Sequence, residues 1–470
     1  MRLPALVVDD DAQLRRFVRL VLEQENWDVT EAESAEEAFE LLSKEAWCAV
    51  FCDVIMQGAD GFAVLRKFRE QLPKVNVVLM TGHGGATDAL DATSFGAYDY
   101  LLKPFSAEDL RSLSDKLVDK SKNEPRSSVM VPKGRSRLGP DDLNLVGRSE
   151  AFINVMKLVG RVAPSDLPVL LTGESGTGKG VVAAALHRRS RRAGGPFVAV
   201  NCGSIPSELI EAELFGHVKG SFTGADRDRM GLWEEANGGT IFLDEITETS
   251  SSFQVKLLRT LQEGEIRRVG SNQTVSVDVR VVAASNRDVE EEVKAGRFRQ
   301  DLFYRLNAMS IVLPPLRDRP SDILPLVMSF QERLFSKRPY GISNDVLDLL
   351  VRYPWPGNIR ELENAVIRAA ALSDGTIRPQ DLPERVRNYQ TSSVETTDLQ
   401  DNPIDSISTR AWPSMFEVEG AYVERVMAHT KGNKQEAARL LDVDRKTIGR
   451  MVKRHNIVSK RNSDWPPRID

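Results

Sequence analysis

Short apolar runs alternate with helical apolar patterns along most of this chain, and two polar stretches interrupt the alternation. Residues 119–142 and 388–413 have no sustained apolar period and are rich in polar residues, which predicts linkers. The blocks on either side of the first linker alternate β-like runs with helical segments, as α/β domains do. The block from Met415 has helical patterns only. The pattern therefore predicts separate domains with different folds.

Four apolar runs in the first block predict buried parallel strands, and a polar residue follows each of them. The runs are Ala5–Val8, Ala49–Cys52, Val75–Met80 and Tyr98–Leu102. The polar residues that follow are Asp9 and Asp10, then Asp53, Thr81 and Lys103. Ligands of an open parallel sheet lie outside the carboxyl ends of its strands, so these residues are expected to converge on one crevice. Three close carboxylates need a divalent cation, and an all-oxygen site suits Mg²⁺.

The second block contains a nucleotide-binding pattern. The strand Val169–Thr172 leads into Gly173, Glu174, Ser175, Gly176, Thr177, Gly178 and Lys179, and a helix follows. This is P-loop spacing, in which backbone N–H groups and the lysine hold phosphates. Gly180 stands where the general pattern has the Ser or Thr that binds Mg²⁺. We expect nucleotide binding to survive this departure, because the backbone cradle and Lys179 remain.

Two later strands of the second block also end in polar residues. The run Thr240–Leu243 ends in Asp244, predicted to organise Mg²⁺, and in Glu245, predicted to polarise the attacking water. The run Val279–Ser285 ends in Asn286, which is expected to sense the γ-phosphate. The cofactors predicted for this block are therefore ATP and Mg²⁺.

A glycine-flanked phenylalanine and a basic tail complete the candidate chemistry. In Gly220-Ser221-Phe222-Thr223-Gly224-Ala225 the flanking glycines lose much conformational entropy on folding, which makes Phe222 an unfavourable core residue. The pattern favours an exposed contact residue on a loop.

The tail predicts helices at Phe416–Thr430, Asn433–Leu441 and Asp444–His455. The last two form a helix-turn-helix, with Asp442 at the usual glycine position of the turn. Its candidate DNA-binding residues are Arg445, Lys446, Thr447, Arg450, Lys453 and Arg454.

Composition limits the class of protein. At 470 residues and 52.4 kDa, with 41% hydrophobic and 28% charged residues, several globular domains are expected. The sequence contains no run of about 18 apolar residues and no signal-peptide pattern, and its three cysteines lack metal-ligand spacing, so a cytoplasmic protein without a membrane partner is expected. Residues 1–118 carry 12 basic against 21 acidic residues, whereas residues 414–470 carry 12 against 8. This asymmetry indicates different partners at the two ends.

The first block resembles the receiver domain of two-component response regulators. The resemblance implies that Asp53 is the phosphoacceptor, that Asp9 and Asp10 hold the metal with it, and that Lys103-Pro104 is the family's Lys-Pro pair. Tyr100 matches the switch aromatic of that family. Gln57 departs from the proline that many receivers have after Met56.

From Leu145 to about Arg387 the chain resembles the AAA+ domain of sigma-54-dependent activators of the NtrC type. The resemblance implies that Arg299 and Arg305 reach a neighbouring subunit's nucleotide, that Arg360 is the second sensor, and that Asn201 toggles the catalytic Glu245. It further implies that Asp244, Glu245 and Lys179 act in catalysis and that the Phe222 loop touches the sigma factor. Ser221 replaces the family's Ala, and Gly180 replaces its usual Glu. The tail resembles Fis-type DNA-binding domains.

These resemblances imply a multidomain α/β architecture: a doubly wound five-stranded receiver, an AAA+ P-loop domain with a helical lid, and an all-α helix-turn-helix. The expected bounds are 1–118 receiver, 119–142 linker, 143–320 ATPase, 321–387 lid, 388–413 linker and 414–460 DNA-binding domain. The expected function is a response regulator that a sensor histidine kinase phosphorylates on Asp53. It assembles from dimers into a hexameric or heptameric ring, hydrolyses ATP and remodels sigma-54 RNA polymerase holoenzyme from upstream double-stranded DNA sites.

Two other functions stay open at this point. One is an AAA+ remodeller of other proteins, against which the sigma-contact loop and the basic tail argue. The other is a receiver-controlled DNA-binding repressor with an impaired ATPase, which Gly180 alone favours.

Overall fold

A computed structural model describes residues 2–42, 44, 46–56, 58–82, 84–123, 145–222, 225–335 and 340–389, and residues 419, 422–424, 426, 427, 429, 430, 432–441 and 443–455. Residues up to Tyr389 form one compact unit, and the chain from Gln390 onward forms a second. None of the described helices is long and apolar enough to cross a membrane. Gln57, Thr223, Gly224 and Asp442, which the sequence singled out, lie outside the described residues.

The first domain is a five-stranded parallel sheet with helices on both faces. Its strands are β1 (Leu3–Val8), β2 (Trp27–Ala32), β3 (Ala49–Asp53), β4 (Asn76–Thr81) and β5 (Asp99–Leu102). Its helices are α1 (Ala12–Gln24), α2 (Ala35–Leu41), α3 (Gly61–Gln71), α4 (Ala86–Ser94) and α5 (Ala107–Asn123). The strand order is β2-β1-β3-β4-β5, so β1 and β3 are neighbours at the centre. All five residues of β3 are buried, as its continuous apolar run predicts for a central parallel strand.

The second domain has another five-stranded parallel sheet, in the order β12-β6-β11-β8-β7. Its strands are β6 (Val169–Thr172), β7 (Phe197–Asn201), β8 (Thr240–Asp244), β11 (Arg280–Ser285) and β12 (Met309–Val312), and β9 (Glu265–Arg267) pairs with β10 (Thr274–Ser276) as a separate antiparallel hairpin. Its helices are α6 (Glu150–Val162), α7 (Lys179–Arg188), α8 (Ile210–Phe215), α9 (Leu232–Glu235), α10 (Ser251–Glu263), α11 (Val289–Lys294) and α12 (Gln300–Leu306). The P-loop strand β6 lies between β11 and β12, and the acidic strand β8 adjoins β11.

A helical subdomain follows the second sheet. It contains α13 (Ile323–Phe335), α14 (Asn344–Arg352), α15 (Asn358–Leu372) and α16 (Glu384–Arg387), with the short paired strands β13 (Gly341–Ile342) and β14 (Thr376–Ile377). The fully buried Trp355 anchors its core and donates its indole N–H to the Leu350 carbonyl at 2.7 Å. A buried Trp with its N–H paired is the usual arrangement in a core.

The tail has two described helices, α17 (Lys434–Leu440) and α18 (Arg445–Arg454). Asn433 and Asp444 cap them, as the polar residue before each apolar pattern predicts. The predicted helix at Phe416–Thr430 is described only in part, and its described positions before Thr430 are helical. Together the three parts confirm the predicted fold class. Helix α5 runs to Asn123, five residues past the expected end of the first domain.

The first two domains pack against each other through α4 and α6. A buried ion pair joins Asp91 on α4 to Arg189 at the end of α7 at 2.7 Å, and Lys157 on α6 pairs with Asp99 at the same distance. At the centre of the contact, a Cβ added to Gly160 would lie 1.9 Å from the Thr93 hydroxyl oxygen. A glycine is therefore required at this helix crossing, and the position of α6 is tied to that of α4.

Candidate functional site

The strand ends of the first domain bring Asp9, Asp53 and Lys103 into one crevice. The Lys103 ammonium lies 2.7 Å from Asp9 Oδ2 and 2.8 Å from Asp53 Oδ2. Carboxylate oxygens of Asp9, Asp10 and Asp53 all lie within 4.8 Å of one another. The predicted convergence is thus present, and its oxygen donors suit Mg²⁺.

Burial and charge act in opposite directions on the carboxylate of Asp53. Burial raises its pKa, and the hydrogen bond and positive charge of Lys103 oppose that rise. Asp9 is fully buried, whereas Asp10 is exposed. The crevice therefore holds one exposed carboxylate, that of Asp10, and two buried carboxylates that pair with Lys103.

Thr81 and Tyr100 lie beside this crevice. Thr81 is the last residue of β4 and is 1% exposed, and Tyr100 on β5 is also buried. The Tyr100 ring occupies the space above Gly84, where an added Cβ would lie 1.6 Å from the phenol oxygen. Burial raises the pKa of Tyr100, so the phenol is neutral. The Lys103-Pro104 peptide bond is cis.

The P-loop surrounds one end of a cavity of about 350 Å³. Its walls are formed by residues 175–181, Asp244, Glu245 and Arg360, together with apolar side chains that include Leu145, Phe152 and Phe330. The loop bends through positive φ at Gly176 and Gly178, at +79° and +104°. The Lys179 ammonium donates to the carbonyls of Gly173 and Glu174 at 2.7 and 3.0 Å, and burial lowers its pKa. A cavity with one apolar end and one end lined by amides, a lysine and two acids fits a nucleoside polyphosphate.

Glu245, the residue after β8, has an unusual backbone conformation. Glu245 has φ +56°, an uncommon value for a residue with a side chain. A Cβ placed on Gly203 would lie 2.4 Å from Glu245 Oε2 and 3.4 Å from Asn201 Oδ1, so the Asn201 and Glu245 side chains are neighbours. Asn286, which follows β11, is exposed.

Arg299 and Arg305 lie outside this cavity in the described part of the chain. The Arg299 guanidinium makes two hydrogen bonds to the Asp301 carboxylate, at 3.0 and 2.6 Å. Arg305 donates twice to the Leu261 carbonyl, at 3.2 and 2.9 Å. Both arginines are exposed, and neither lines the cavity among the described residues.

The described residues of the Phe222 loop make two local contacts. The Gly220 N–H donates to the Ala225 carbonyl at 2.9 Å, and the Phe222 ring meets the His217 ring edge-on with centroids 5.0 Å apart. Phe222 is nevertheless 37% exposed, and the Ser221 hydroxyl is buried without a hydrogen-bond partner among the described residues. An exposed aromatic on a glycine-flanked loop fits a contact residue.

The basic side chains of α18 are exposed, whereas two of its apolar residues are buried. Ile448 and Val452 are buried, one helical turn apart, whereas Arg445, Lys446, Arg450, Lys453 and Arg454 are exposed. The Thr447 hydroxyl donates to the capping carboxylate of Asp444 at 2.8 Å, so it takes part in the helix cap. Arg454 lies 3.7 Å from Glu419. The exposed arginine and lysine face suits phosphate contacts.

Sequence reasoning assigned no role to three residues, Asn358, Arg317 and Arg319, that contact the P-loop from the chain after the second sheet. Asn358, fully buried at φ +51°, donates to the Ser175 carbonyl and to Glu174, and Arg317 makes two hydrogen bonds to Glu174. Arg319, also fully buried, donates to the Thr177 carbonyl at 2.8 Å. An available signal was the Gly357-Asn358 pair before a helix, since Asn tolerates positive φ. The partners are more than 140 residues away, so the pattern did not show them.

Replacing Gly180 with Ala is expected to stabilise the second domain by about 0.5 kcal/mol without weakening ATP binding, because Ala favours a helix over Gly. Gly180 lies in the first turn of α7, and the nearest atom to an added Cβ is 3.8 Å away, an ordinary contact. Thermal unfolding and calorimetric titration with ATP measure the two effects. A lower unfolding temperature, or an ATP affinity reduced more than about twofold, would contradict this account of the site.

Four family models match this chain along most of its length. They are "Response regulator receiver domain" over residues 5–115, "Sigma-54 interaction domain" over 145–312, "AAA+ ATPase lid domain" over 317–399 and "Bacterial regulatory protein, Fis family" over 414–455.

Relatives are similar to this chain over most of its length. The transcriptional regulatory protein ZraR of Klebsiella oxytoca is 42% identical over 448 residues, covering 94% of this chain and 97% of the relative. The DNA-binding transcriptional regulator NtrC of Klebsiella pneumoniae is 36% identical over 478 residues, covering 96% and 98%. A crystal structure of NtrX from Brucella abortus in complex with ADP is 31% identical and covers 97% of this chain and 100% of that one, with a TM-score of 0.49.

Proposed function

The chain belongs to the sigma-54-dependent response regulators of the ZraR and NtrC type, and from this premise we propose that it is a phosphorylation-controlled ATPase that remodels sigma-54 RNA polymerase holoenzyme. The observation that carries the proposal is the presence, in one compact unit, of a lysine-paired aspartate crevice and a P-loop cavity lined by Asp244 and Glu245. The first site accepts a phosphoryl group, and the second hydrolyses ATP.

Asp53 is the phosphoacceptor in this proposal. One of its carboxylate oxygens attacks the phosphorus of a phosphohistidine on a sensor kinase, the P–N bond breaks, and an acyl phosphate forms. Lys103, already 2.8 Å from Asp53, balances the charge of the incoming oxygens, and the hydroxyl of Thr81, the last residue of β4, donates to one of them. Asp9, Asp10 and Asp53 would hold Mg²⁺, which neutralises charge on the phosphoryl group.

ATP hydrolysis takes place in the cavity of the second domain. P-loop N–H groups and Lys179 bind the phosphates, Glu245 accepts a proton from the attacking water, and Asp244 would hold Mg²⁺. Asn201 positions the Glu245 carboxylate, beside which it lies. Arg360, which donates to the Ser175 hydroxyl at 3.3 Å, connects the lid to the phosphate end, and Asn286 senses the γ-phosphate from the end of β11.

Neighbouring subunits complete the catalytic site. Head-to-tail association into a ring brings Arg299 and Arg305 of one subunit to the nucleotide of the next, where a guanidinium stabilises transition-state charge. The absence of both arginines from their own subunit's cavity, within the described residues, supports this arrangement. Ring formation and ATP turnover are therefore coupled.

The contact between α4 and α6 connects the two sites. Helix α4 follows Thr81 at the crevice, and Asp91 on it pairs with Arg189 at the end of α7, the helix that begins at Lys179. The low dielectric of a buried contact makes such an ion pair sensitive to small displacements. A phosphoryl group on Asp53 changes ATPase activity through this contact.

Two further elements, the Phe222 loop and α18, bind the partners of the ATPase. The loop from Gly220 to Ala225 carries Phe222 to the sigma factor as ATP is hydrolysed. Helix α18 enters the major groove of double-stranded DNA, and its exposed arginines and lysines contact phosphates and base edges. A cytoplasmic location follows from these partners.

The test is steady-state ATP turnover by the full-length protein over a range of concentrations, with and without beryllofluoride as the phosphoryl mimic. Turnover per subunit is expected to rise with concentration and with the mimic, and Asp53→Asn is expected to abolish only the response to the mimic. Background turnover together with retained ATP binding would favour the alternative function, a DNA-binding repressor with an impaired ATPase, for which Gly180 is the reason.

A further inference from the structure

Five consecutive P-loop carbonyls accept hydrogen bonds, and the donors change partway along the loop. The carbonyls of Gly173 and Glu174 accept from within the loop, from Lys179 and Thr177. The next three accept from outside it. The outside donors are Asn358 Nδ2 to Ser175 at 3.0 Å, the Ile359 N–H to Gly176 at 3.0 Å, and Arg319 Nη2 to Thr177 at 2.8 Å.

The three outside donors determine where the N–H groups of the loop point. In a planar trans peptide the carbonyl of one residue and the N–H of the next point in opposite directions. The N–H groups of Gly176, Thr177 and Gly178 therefore point away from these three donors. All three residues line the nucleotide cavity. The lid thus orients the amides that bind phosphate.

Asn358 is held in place at both ends of its amide. Its Oδ1 accepts the Leu316 N–H at 2.7 Å, while its Nδ2 donates to the Ser175 carbonyl and to Glu174 Oε2 at 3.1 Å. The backbones also meet closely, since a Cβ on Gly176 would lie 2.4 Å from the Gly357 carbonyl oxygen. The contact leaves little freedom for the peptide between Ser175 and Gly176.

Arg319 is fully buried, and its guanidinium is only partly hydrogen-bonded among the described residues. Its guanidinium lies over the Phe152 ring at 4.8 Å, and burial lowers its pKa. Its Nε and Nη1 are buried without hydrogen-bond partners among the described residues. Buried unpaired donors are unfavourable, so a fully buried arginine here requires a specific role. Its one hydrogen bond to the P-loop, to the Thr177 carbonyl, provides that role.

We infer that Asn358 and Arg319 are positioning residues for the phosphate-binding amides, so that their hydrogen bonds to the P-loop carbonyls determine affinity for the polyphosphate chain, whereas other side chains, among them Phe330, form the apolar end of the cavity. This inference rests on the proposed nucleotide binding. It extends the site to two residues that do not line the cavity. Undocking of the lid then loosens the phosphate cradle and releases the diphosphate product.

Full-length Asn358→Gly and Arg319→Met test the inference with ADP and adenosine as probes. Gly accepts the positive φ of position 358, so this variant removes the donor without adding backbone strain. ADP affinity is expected to fall about tenfold or more in each variant, because a buried hydrogen bond is lost. Adenosine affinity, measured by competition, is expected to change less than about twofold. Arg319→Lys, which keeps one donor, is expected to recover part of the loss.

Controls separate this role from general damage to the lid. Arg352→Ala removes an exposed lid arginine and is expected to leave the affinities for both ligands unchanged. Equal losses of ADP and adenosine affinity would overturn the inference and indicate a general structural role. Unchanged ADP affinity would also overturn it. If Asn358→Gly does not fold, the ADP and adenosine affinities of Arg319→Met and Arg319→Lys test the inference. A wild-type protein that binds no ADP would refute the proposed nucleotide binding itself.

Discussion

Glu245→Gln is expected to lower ATP turnover by about 10²–10⁴-fold while ATP affinity changes little, because the amide cannot accept a proton from the attacking water. The change preserves size, and Gln meets the same backbone strain as Glu at the φ of +56°. The amide can still pack beside Asn201. Steady-state turnover and calorimetric ATP binding, both on the full-length protein, separate the two effects.

Glu248→Gln is the matched control for this change. Its carboxylate is exposed, pairs with Arg287 at 2.6 Å and does not line the nucleotide cavity. Turnover by this variant is expected to remain within about twofold of wild type. Near-normal turnover by Glu245→Gln would remove Glu245 from the role of base.

Arg299→Ala is expected to reduce turnover about 10³-fold or more, because an arginine supplied to the transition state contributes about 10³–10⁵ in rate. The sharper measurement mixes this variant with Glu245→Gln, each inactive alone. An Arg299→Ala subunit keeps its own Glu245, and a Glu245→Gln neighbour supplies the missing arginine. Random pairing in a head-to-tail ring makes about a quarter of the interfaces intact. Turnover is therefore expected to reappear on mixing.

Arg297→Ala is the control for the arginine variant. Arg297 lies two positions earlier, is exposed, and pairs with Glu292 at 2.6 and 2.8 Å. Its loss is expected to leave turnover nearly unchanged. Two inactive variants that stay inactive together would show that Arg299 does not act on a neighbouring subunit's nucleotide.

The candidate sites at the strand ends were predictable because their geometry follows from local pattern and a general rule. Continuous apolar runs predict buried parallel strands, and neighbouring carboxyl ends place Asp9 and Asp53 together. Lys103, after the edge strand β5, reaches both aspartates because its side chain is long. The P-loop was predictable for the same reason, since its glycines and Lys179 are consecutive in the chain.

Residues that act through distant partners were not predictable in this way. Asn358 gave only a weak signal, a polar residue after a glycine at the start of a helix. Its partners Ser175 and Glu174 are brought to it by packing of the lid, which no periodicity specifies. The same holds for Gly160, whose contact with Thr93 depends on how two domains meet.

By itself, the sequence determined the domain types, the strand-end acids, the P-loop and the basic face of α18, because apolar period and residue spacing specify local structure directly. Only the tertiary structure decided which way the P-loop peptides face and how α4 contacts the ATPase domain. These features depend on residues that are distant in the chain and meet only on folding, where shape complementarity and buried hydrogen bonds select one arrangement among many with the same pattern.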